Sequence, residues 1–131
     1  MFNIVSDKIA EIVSSLGVDV VAGTEGGGIP LAIAVSLKTG LPMIGIRKPR
    51  QFFTRRLIDG VLSKDQKVVL VTDLITNGYN KLKIAEVIKN EGGIVENLIS
   101  VLDKEEGAAE NLQEQGIAMH SLITLKSLLE Y

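Results

Sequence analysis

The sequence predicts an α/β fold in which a mostly parallel β-sheet is flanked by helices on both faces. Short runs of β-branched and aliphatic residues alternate along the chain with segments whose apolar residues recur at helical spacing. The strand runs are apolar throughout, which is typical of strands buried on both faces. The chain has 131 residues without an internal repeat or a linker, so we predict one domain over residues 1–131.

The first half of the chain predicts two helices and two strands. Apolar residues recur at helical spacing up to Leu16, and Gly17 ends this first helix. Residues 18–22 follow as a buried strand. After a glycine-rich turn over residues 23–28, Pro30 stands where a first-turn proline is tolerated, and Gly40 closes the second helix.

Residues 43–46 are the second predicted strand, and residues 47–66 have no clean period and predict a loop or hairpin excursion. A βαβ unit then follows, with strands over residues 68–71 and 98–102 and a helix over residues 81–89. The remaining chain predicts a short helix over 108–115, a strand over 119–123 and a final helix from Leu125, with Thr124 as its N-cap.

Composition and charge exclude several classes of protein. Fourteen Lys and Arg against 16 Asp and Glu give a net charge of −2, so the whole molecule has no field that attracts nucleic acid or an anionic membrane. The chain has no cysteine, which excludes disulfide and thiolate chemistry. No run approaches the ~18 apolar residues of a membrane span, and the first residues do not resemble a signal peptide. We therefore expect a cytoplasmic protein.

The strongest functional signal lies over residues 68–78, where a buried strand runs into Asp73 and then into a hydroxyl and glycine turn that opens a helix. Such a turn directs backbone N–H groups and the helix dipole at one spot, which suits a phosphate. The Asp73 carboxylate could accept hydrogen bonds from a ribose diol. The alternative is an ordinary strand-to-helix connection in which Asp73 or Thr76 only caps the helix.

This stretch resembles the PRPP-binding motif of type I phosphoribosyltransferases, in which a strand ends in two acids followed by a phosphate loop. Residues 23–30 resemble the pyrophosphate loop of the orotate phosphoribosyltransferases, and Ile46, Arg47 and Lys48 resemble the start of their catalytic loop. Residues 98–107 and 121–129 are similar to the final strands and helix of the same enzymes. The resemblance covers nearly the whole chain.

The resemblance implies a type I phosphoribosyltransferase fold, PRPP with Mg²⁺ as the ligand pair, and a homodimer. It also implies roles for particular residues. Arg47, Lys48 and Asp73 are the catalytic candidates, and Lys104 lies on the base side. The PRPP- and phosphate-binding residues are Thr72, Asp73, Thr76, Asn77, Gly78, Tyr79 and Asn80. The pyrophosphate loop consists of Glu25, Gly26, Gly27 and Gly28.

Several positions depart from the family pattern. Thr72 stands in place of the first acid, and Gly27 in place of the usual lysine of the pyrophosphate loop. The lysine and histidine of the catalytic loop are not recognisable over residues 49–56, where Arg50 or Arg55 could substitute in part. Tyr79 and Asn80 replace small residues of the phosphate loop.

The base side departs from the pattern as well. Lys104 replaces an arginine, which removes a planar two-pronged donor for a carboxylate. The family's N-terminal hood over the base is expected to be missing, so orotate specificity does not carry over. We predict an orotate phosphoribosyltransferase-like protein that binds PRPP or a nucleoside monophosphate, with weak or lost catalysis and a binding or regulatory role. The alternative is an active PRPP-dependent enzyme of pyrimidine nucleotide synthesis or salvage.

The segment 47–56 is rich in arginine and holds Phe52 and Phe53, which leaves three interpretations open. It could grip pyrophosphate, form a solvated or dimer-interface hairpin, or contact nucleic acid by charge and stacking. Neither a dinucleotide fingerprint nor a Gly-Lys-Ser/Thr phosphate loop is present. We interpret His120 as structural, expect no metal site built from protein ligands alone, and interpret Glu105, Glu106 and Glu110 as a solvated acidic face.

Overall fold

The computed structural model describes residues 2–47 and 56–130 and contains one six-stranded sheet of order β3-β2-β1-β4-β5-β6. Every strand pair is parallel except β2 with β3, which is antiparallel. In chain order the elements of the described residues are α1 (Phe2–Leu16), β1 (Val20–Thr24), α2 (Gly28–Thr39), β2 (Met43–Ile46), β3 (Ile58–Asp59), β4 (Lys67–Ile75), α3 (Tyr79–Asn90), β5 (Ile94–Asp103), α4 (Ala108–Glu114), β6 (Ala118–Thr124) and α5 (Leu125–Leu129). This confirms the predicted mostly parallel sheet flanked by helices.

The central strands of the sheet are buried on both faces, as their apolar runs predict. Alternate residues of β4 belong to different hydrophobic clusters, because successive side chains of a strand point to opposite faces. Val68 and Leu70 lie in one cluster with α3 and α4, while Val69 and Val71 lie in the other with α1 and α2. The strands of this central region therefore hold the two helical layers together.

Helix ends agree with the predicted capping residues. Gly40 closes α2 in the left-handed conformation with φ 77°. Thr124 is the N-cap of α5, where its side chain accepts a hydrogen bond from the Ser127 N–H and Ser127 reciprocates in a capping box. An ion pair between Lys38 Nζ and Asp7 Oδ1, 2.6 Å apart, links α2 to α1.

Three predicted strands need correction at their ends, and one of them, β5, begins at Ile94 rather than at residue 98. β1 continues to Thr24 rather than ending at residue 22, because Gly23 and Thr24 pair with β2. β4 continues to Ile75 rather than ending at residue 71, because its last residues pair with β5. The predicted excursion over residues 47–66 contains the short strand β3 beside β2, while residues 48–55 of that segment lie outside the described residues.

Across residues 2–47 and 56–130, no helix has the length and apolar character needed to cross a membrane.

Candidate functional site

The candidate site lies where the parallel strands end. The register pairs Thr24 at the end of β1 with Ile46 at the end of β2, and Ile75 of β4 with Asp103 of β5. Because the carboxyl ends of these strands share one edge, the loops that follow them meet there. Ligands of open α/β sheets bind in the crevice outside this edge.

The phosphate loop, residues 76–80, connects β4 to α3. Gly78 is the N-cap of α3, has φ 86° and makes no side-chain capping bond. Asn77 Oδ1 accepts a hydrogen bond from the Tyr79 N–H over 3.0 Å. The idea that Asp73 or Thr76 merely caps this helix is therefore wrong, since the N-cap is a glycine.

Helix α4 supports the phosphate loop from behind. Asn111 Nδ2 donates a hydrogen bond to the carbonyl oxygen of Asn77 over 2.8 Å. Gly78 is buried against the same helix, and a Cβ atom there would lie 3.5 Å from Ala108 Cα. Sequence reasoning missed Asn111, because 34 residues separate it from Asn77 and no local pattern relates the two.

The pyrophosphate loop, residues 25–28, connects β1 to α2, and its last two glycines have little space around them. The Glu25 N–H donates to the Ile46 carbonyl over 2.9 Å, and Gly26 has φ 101°. A Cβ atom on Gly28 would lie 2.6 Å from the Val71 carbonyl oxygen and 2.7 Å from Thr24 Oγ1. Only glycine fits at this position, so α2 begins in direct contact with β1 and β4.

Asp73, near the end of β4, lies against the pyrophosphate loop. A Cβ atom on Gly27 would overlap the Asp73 carboxylate and would lie 3.0 Å from Asp73 Cβ. The carboxylate of β4 therefore lies against the pyrophosphate loop at a residue that has no side chain. Asp73 is exposed, whereas the neighbouring Thr72 is only 1% exposed, and its hydroxyl donates a long 3.4 Å bond to the Leu74 carbonyl.

The described arginines of the segment 47–56 are paired with carboxylates and are therefore not free to bind an anion. Arg47 Nε lies 2.7 Å from Asp59 Oδ2 in an ion pair across the β2–β3 hairpin. Lys48, Arg50 and Arg55 lie outside the described residues. Arg56 Nε lies 2.8 Å from Glu91 Oε1. Both described arginines of the basic segment are thus engaged by carboxylates.

The loop that follows β5 contains Lys104, the candidate for the base side. The Lys104 N–H donates to the Ile75 carbonyl over 3.0 Å, which keeps this loop beside the end of β4. Asp103 Oδ1 accepts from the Glu105 N–H over 2.8 Å, and Glu105 Oε1 accepts from the Lys126 N–H over 2.7 Å. Glu105 therefore connects the loop to α5 in addition to facing solvent.

Two clefts that share Asn80 and Lys81 open at this edge. The larger, about 340 Å³, has Glu25 of the pyrophosphate loop and Asn80 of the phosphate loop in its wall. The smaller, about 160 Å³, is lined by Thr76, Gly78 and Asn80. Elsewhere, His120 Nε2 lies 3.1 Å from Asn97 Oδ1 on the neighbouring strand, in keeping with a structural residue.

The mostly parallel sheet, with a phosphate loop after β4 and a glycine-rich loop after β1, is the fold of the type I phosphoribosyltransferases. The orotate phosphoribosyltransferase of Aeropyrum pernix superimposes with a TM-score of 0.89 at 30% identity, over 97% of this chain and 73% of that one. The Mycobacterium tuberculosis H37Rv orotate phosphoribosyltransferase in complex with PRPP gives a TM-score of 0.83 at 27% identity, over 97% of this chain and 75% of that one.

Comparison with known sequences shows to which family within this class the chain belongs. The orotate phosphoribosyltransferase of Methanocaldococcus jannaschii is 39% identical over 129 residues, which cover 98% of this chain and 73% of the relative. No family model matches the chain. At this identity and coverage, the chain belongs to the orotate phosphoribosyltransferase family.

Proposed function

We propose that this chain binds the ribose 5-phosphate part of PRPP or of a nucleoside monophosphate, and that phosphoribosyl transfer by it is weak or lost. The observation that carries the proposal is the position of Asp73 near the end of β4, three residues before the phosphate loop and with its carboxylate against Gly27 of the pyrophosphate loop. A ribose phosphate has its diol and its phosphate a few ångströms apart, and the same short segment supplies a partner for each.

The phosphate end of the ligand is assigned to residues 76–80. Backbone N–H groups at a helix N-terminus, together with the helix dipole, favour a phosphate. α3 has twelve residues and no acidic residue in its first turn, and of its first N–H groups the one of Tyr79 donates to Asn77 Oδ1. The hydroxyl of Thr76 and the amide of Asn80 line the smaller cleft and could donate further hydrogen bonds. The exposed Asp73 carboxylate would accept hydrogen bonds from the ribose hydroxyls.

Weak catalysis follows from the groups that the reaction would use. Glycosyl transfer builds positive charge on the sugar while pyrophosphate departs, so cationic groups at the leaving group are needed. Gly27 replaces the family's lysine, and the guanidinium of Arg47 is paired with Asp59. Thr72 replaces an acid, and its side chain is buried. These three positions support a binding or regulatory role over efficient transfer.

Mg²⁺ is the ion that the family resemblance pairs with PRPP, where it would neutralise the diphosphate. In proteins it is held by one or two carboxylates together with substrate phosphates and waters. Within the described part of the chain, no group of three or more His, Cys, Asp or Glu could hold a metal. The residues therefore fit an ion that arrives with the diphosphate better than one resident in the protein.

The remaining expectations are part of the same proposal. We expect residues 1–131 to fold as one domain, Lys104 to lie near the base, and the protein to form a homodimer in the cytoplasm. Sedimentation or light scattering in solution tests the dimer. A monomeric mass at the highest usable concentration would contradict that expectation and would leave the ligand proposal intact.

Isothermal titration with PRPP and Mg²⁺, orotidine monophosphate and uridine monophosphate tests the binding site. We expect saturable binding of at least one ligand and at least about a tenfold loss of affinity in Asp73→Asn, because hydrogen bonds to a charged acceptor contribute about 1.5–3 kcal/mol. Asp65→Asn is the matched control, since Asp65 is exposed near the opposite edge of the sheet and asparagine tolerates its φ of 66°.

No heat with any of the three ligands would contradict the proposal. A turnover assay with PRPP and a range of bases tests the catalytic part. Rapid release of pyrophosphate would instead establish the active enzyme of pyrimidine synthesis or salvage.

A further inference from the structure

We propose that the free edge of β6 is a self-association surface, where a second copy of this chain pairs its own β6 in antiparallel orientation and the two sheets become continuous. The inference rests on the homodimer expected under the proposed function, to which it assigns a surface, and it is independent of the ligand. Its basis is an uncharged edge strand whose sequence is complementary to itself across a two-fold axis.

The outer edge of β6 is open. β6 is the last strand of the sheet, and among the described strands it pairs only with β5. An edge strand presents a row of unpaired N–H and C=O groups to any further strand. The start of α5 is held on the β5 side, because the Lys126 N–H donates to Glu105 Oε1 in the loop after β5 over 2.7 Å. The turn into α5 therefore leads away from the open edge.

This edge lacks the features that normally prevent strand pairing. Proteins protect open edges with charged side chains, proline, bulges or very short strands. Residues 117–125 contain no charged residue, no proline and no glycine, and the register of β6 with β5 is unbroken. The opposite edge of the described sheet is protected, since β3 has two residues and one of them is Asp59. The seven residues of β6 thus suit a partner strand.

A two-fold axis at Ser121 makes β6 its own partner. Antiparallel pairing about this residue places Met119 opposite Ile123 of the second copy, and His120 opposite its Leu122. Met119 packs on the cluster under α3 and α4 and Leu122 on the cluster under α1 and α2, so successive side chains lie on opposite faces. Apolar cross-strand pairs stabilise a sheet, and the symmetry forms each pair twice.

The surroundings of β6 fit the same register. A cleft of about 430 Å³ between α4 and the start of β6 is lined in part by Gln113 and Met119. Ile123 of the second copy, a side chain 38% exposed in one copy, would lie beside this cleft. The exposed Glu114 precedes β6 and the exposed Lys126 follows it. Antiparallel pairing therefore brings unlike charges together at each end of the interface, which favours a second copy as the partner.

Sedimentation of the full chain over a concentration series tests the surface. We expect wild-type protein to sediment as a dimer, and Ile123→Lys to raise the dimer dissociation constant at least about tenfold, because symmetry places the added charge on the pairing edge twice. Val61→Lys is the matched control, since Val61 is an exposed apolar residue outside β6 and the same substitution there should leave the dimer intact. Circular dichroism verifies that each variant is folded.

Cross-linking tests the register itself and does not depend on Ile123→Lys. The chain has no cysteine, so Ser121→Cys introduces a single thiol. Directly opposite residues of antiparallel strands have Cβ atoms about 4.5–5.5 Å apart, and a small adjustment brings them within disulfide reach. Mild oxidation should give a covalent dimer that reduction reverses. Ser14→Cys, at an exposed position of α1, should stay monomeric on the same denaturing gel.

The outcomes separate the dimer from its surface. If wild-type protein is monomeric at the highest usable concentration, both the homodimer and this surface are wrong, and the open edge is left to a different chain. If Ile123→Lys remains as dimeric as wild type, or if Ser121→Cys forms no more covalent dimer than Ser14→Cys, the homodimer stands and the β6 surface is overturned. Titration with ribose phosphates is a separate measurement, so its failure would not affect this inference.

Discussion

Adjacent glycines at the start of α2 lack side chains for different physical reasons. A Cβ on Gly28 would meet backbone, 2.6 Å from the Val71 carbonyl oxygen, and a sheet backbone cannot move aside without breaking its ladder. A Cβ on Gly27 would meet the side chain of Asp73, which can rotate. Gly28 is therefore a requirement of the fold, while Gly27 belongs to the site.

Gly28→Ala should lower the free energy of unfolding by about 1–3 kcal/mol or more, because overpacking against backbone forces the helix away from the sheet. Urea unfolding followed by circular dichroism measures the change. Gly45→Ala is the control, since Gly45 is also buried but a Cβ there would have its nearest neighbours at 3.8 and 3.9 Å. Equal destabilisation by the two substitutions would contradict the steric argument.

Gly27 and Asp73 should be energetically coupled. Gly27→Ala should destabilise the protein clearly less in an Asp73→Ala background, where the carboxylate is gone and only the 3.0 Å approach to the Asp73 Cβ remains. Residues in contact show coupling energies of about 0.5–3 kcal/mol in double-mutant cycles. Strictly additive changes in unfolding free energy would mean that Asp73 does not lie against Gly27 in solution.

At the scale of elements, α4 determines where the phosphate loop lies. Asn111→Ala removes the hydrogen bond to the Asn77 carbonyl, and we expect about 0.5–1.5 kcal/mol of lost stability. Affinity for ribose phosphates should fall several-fold as well, because the loop loses its support. Gln113→Ala is the matched control, since Gln113 is exposed on the same helix. Hydrogen exchange should show faster opening of residues 76–80 in Asn111→Ala alone.

Most elements were predictable from the sequence, and the errors have identifiable causes. The sequence predicts too early an end for β1, because the glycine at residue 23 favours a turn. In the structure Gly23 pairs with β2 on one side and with β4 on the other, so it belongs to the strand. β4 was predicted too short because Thr72 and Asp73 are polar. Their strand conformation comes from pairing along β5, a partner more than twenty residues away.

The site was predictable in part. Parallel strands bring their carboxyl ends to one edge, so the loops that gather there could be named from the order of strands and helices. The sequence did not allow us to predict that Asp73 is oriented towards Gly27 or that Asn111 supports the phosphate loop. Both depend on where α2 and α4 pack on the sheet, and on side-chain orientations that local sequence does not fix.

At the scale of the whole molecule, one sheet separates two hydrophobic clusters and belongs to both. Leu98 and Ile99 are adjacent on β5, and each is 0% exposed. Leu98 packs in the cluster under α3 and α4, and Ile99 in the cluster under α1 and α2. Since the same strand backbone supports both clusters, loss of one helical layer exposes the sheet face that it covers and removes support from the strands on which the other layer packs.

The two clusters should therefore unfold together. Leu98→Ala and Ile99→Ala should each lower the unfolding free energy by about 2–5 kcal/mol and shift one shared transition. Calorimetry should give a single peak whose van't Hoff and calorimetric enthalpies agree, at about 0.7 kcal/mol per residue near 60 °C. Because the substitutions act on opposite faces, two resolved transitions, each moved by only one of them, would show that the helical layers unfold independently. A single peak moved equally by both would show that β4 and β5 make the chain one cooperative unit.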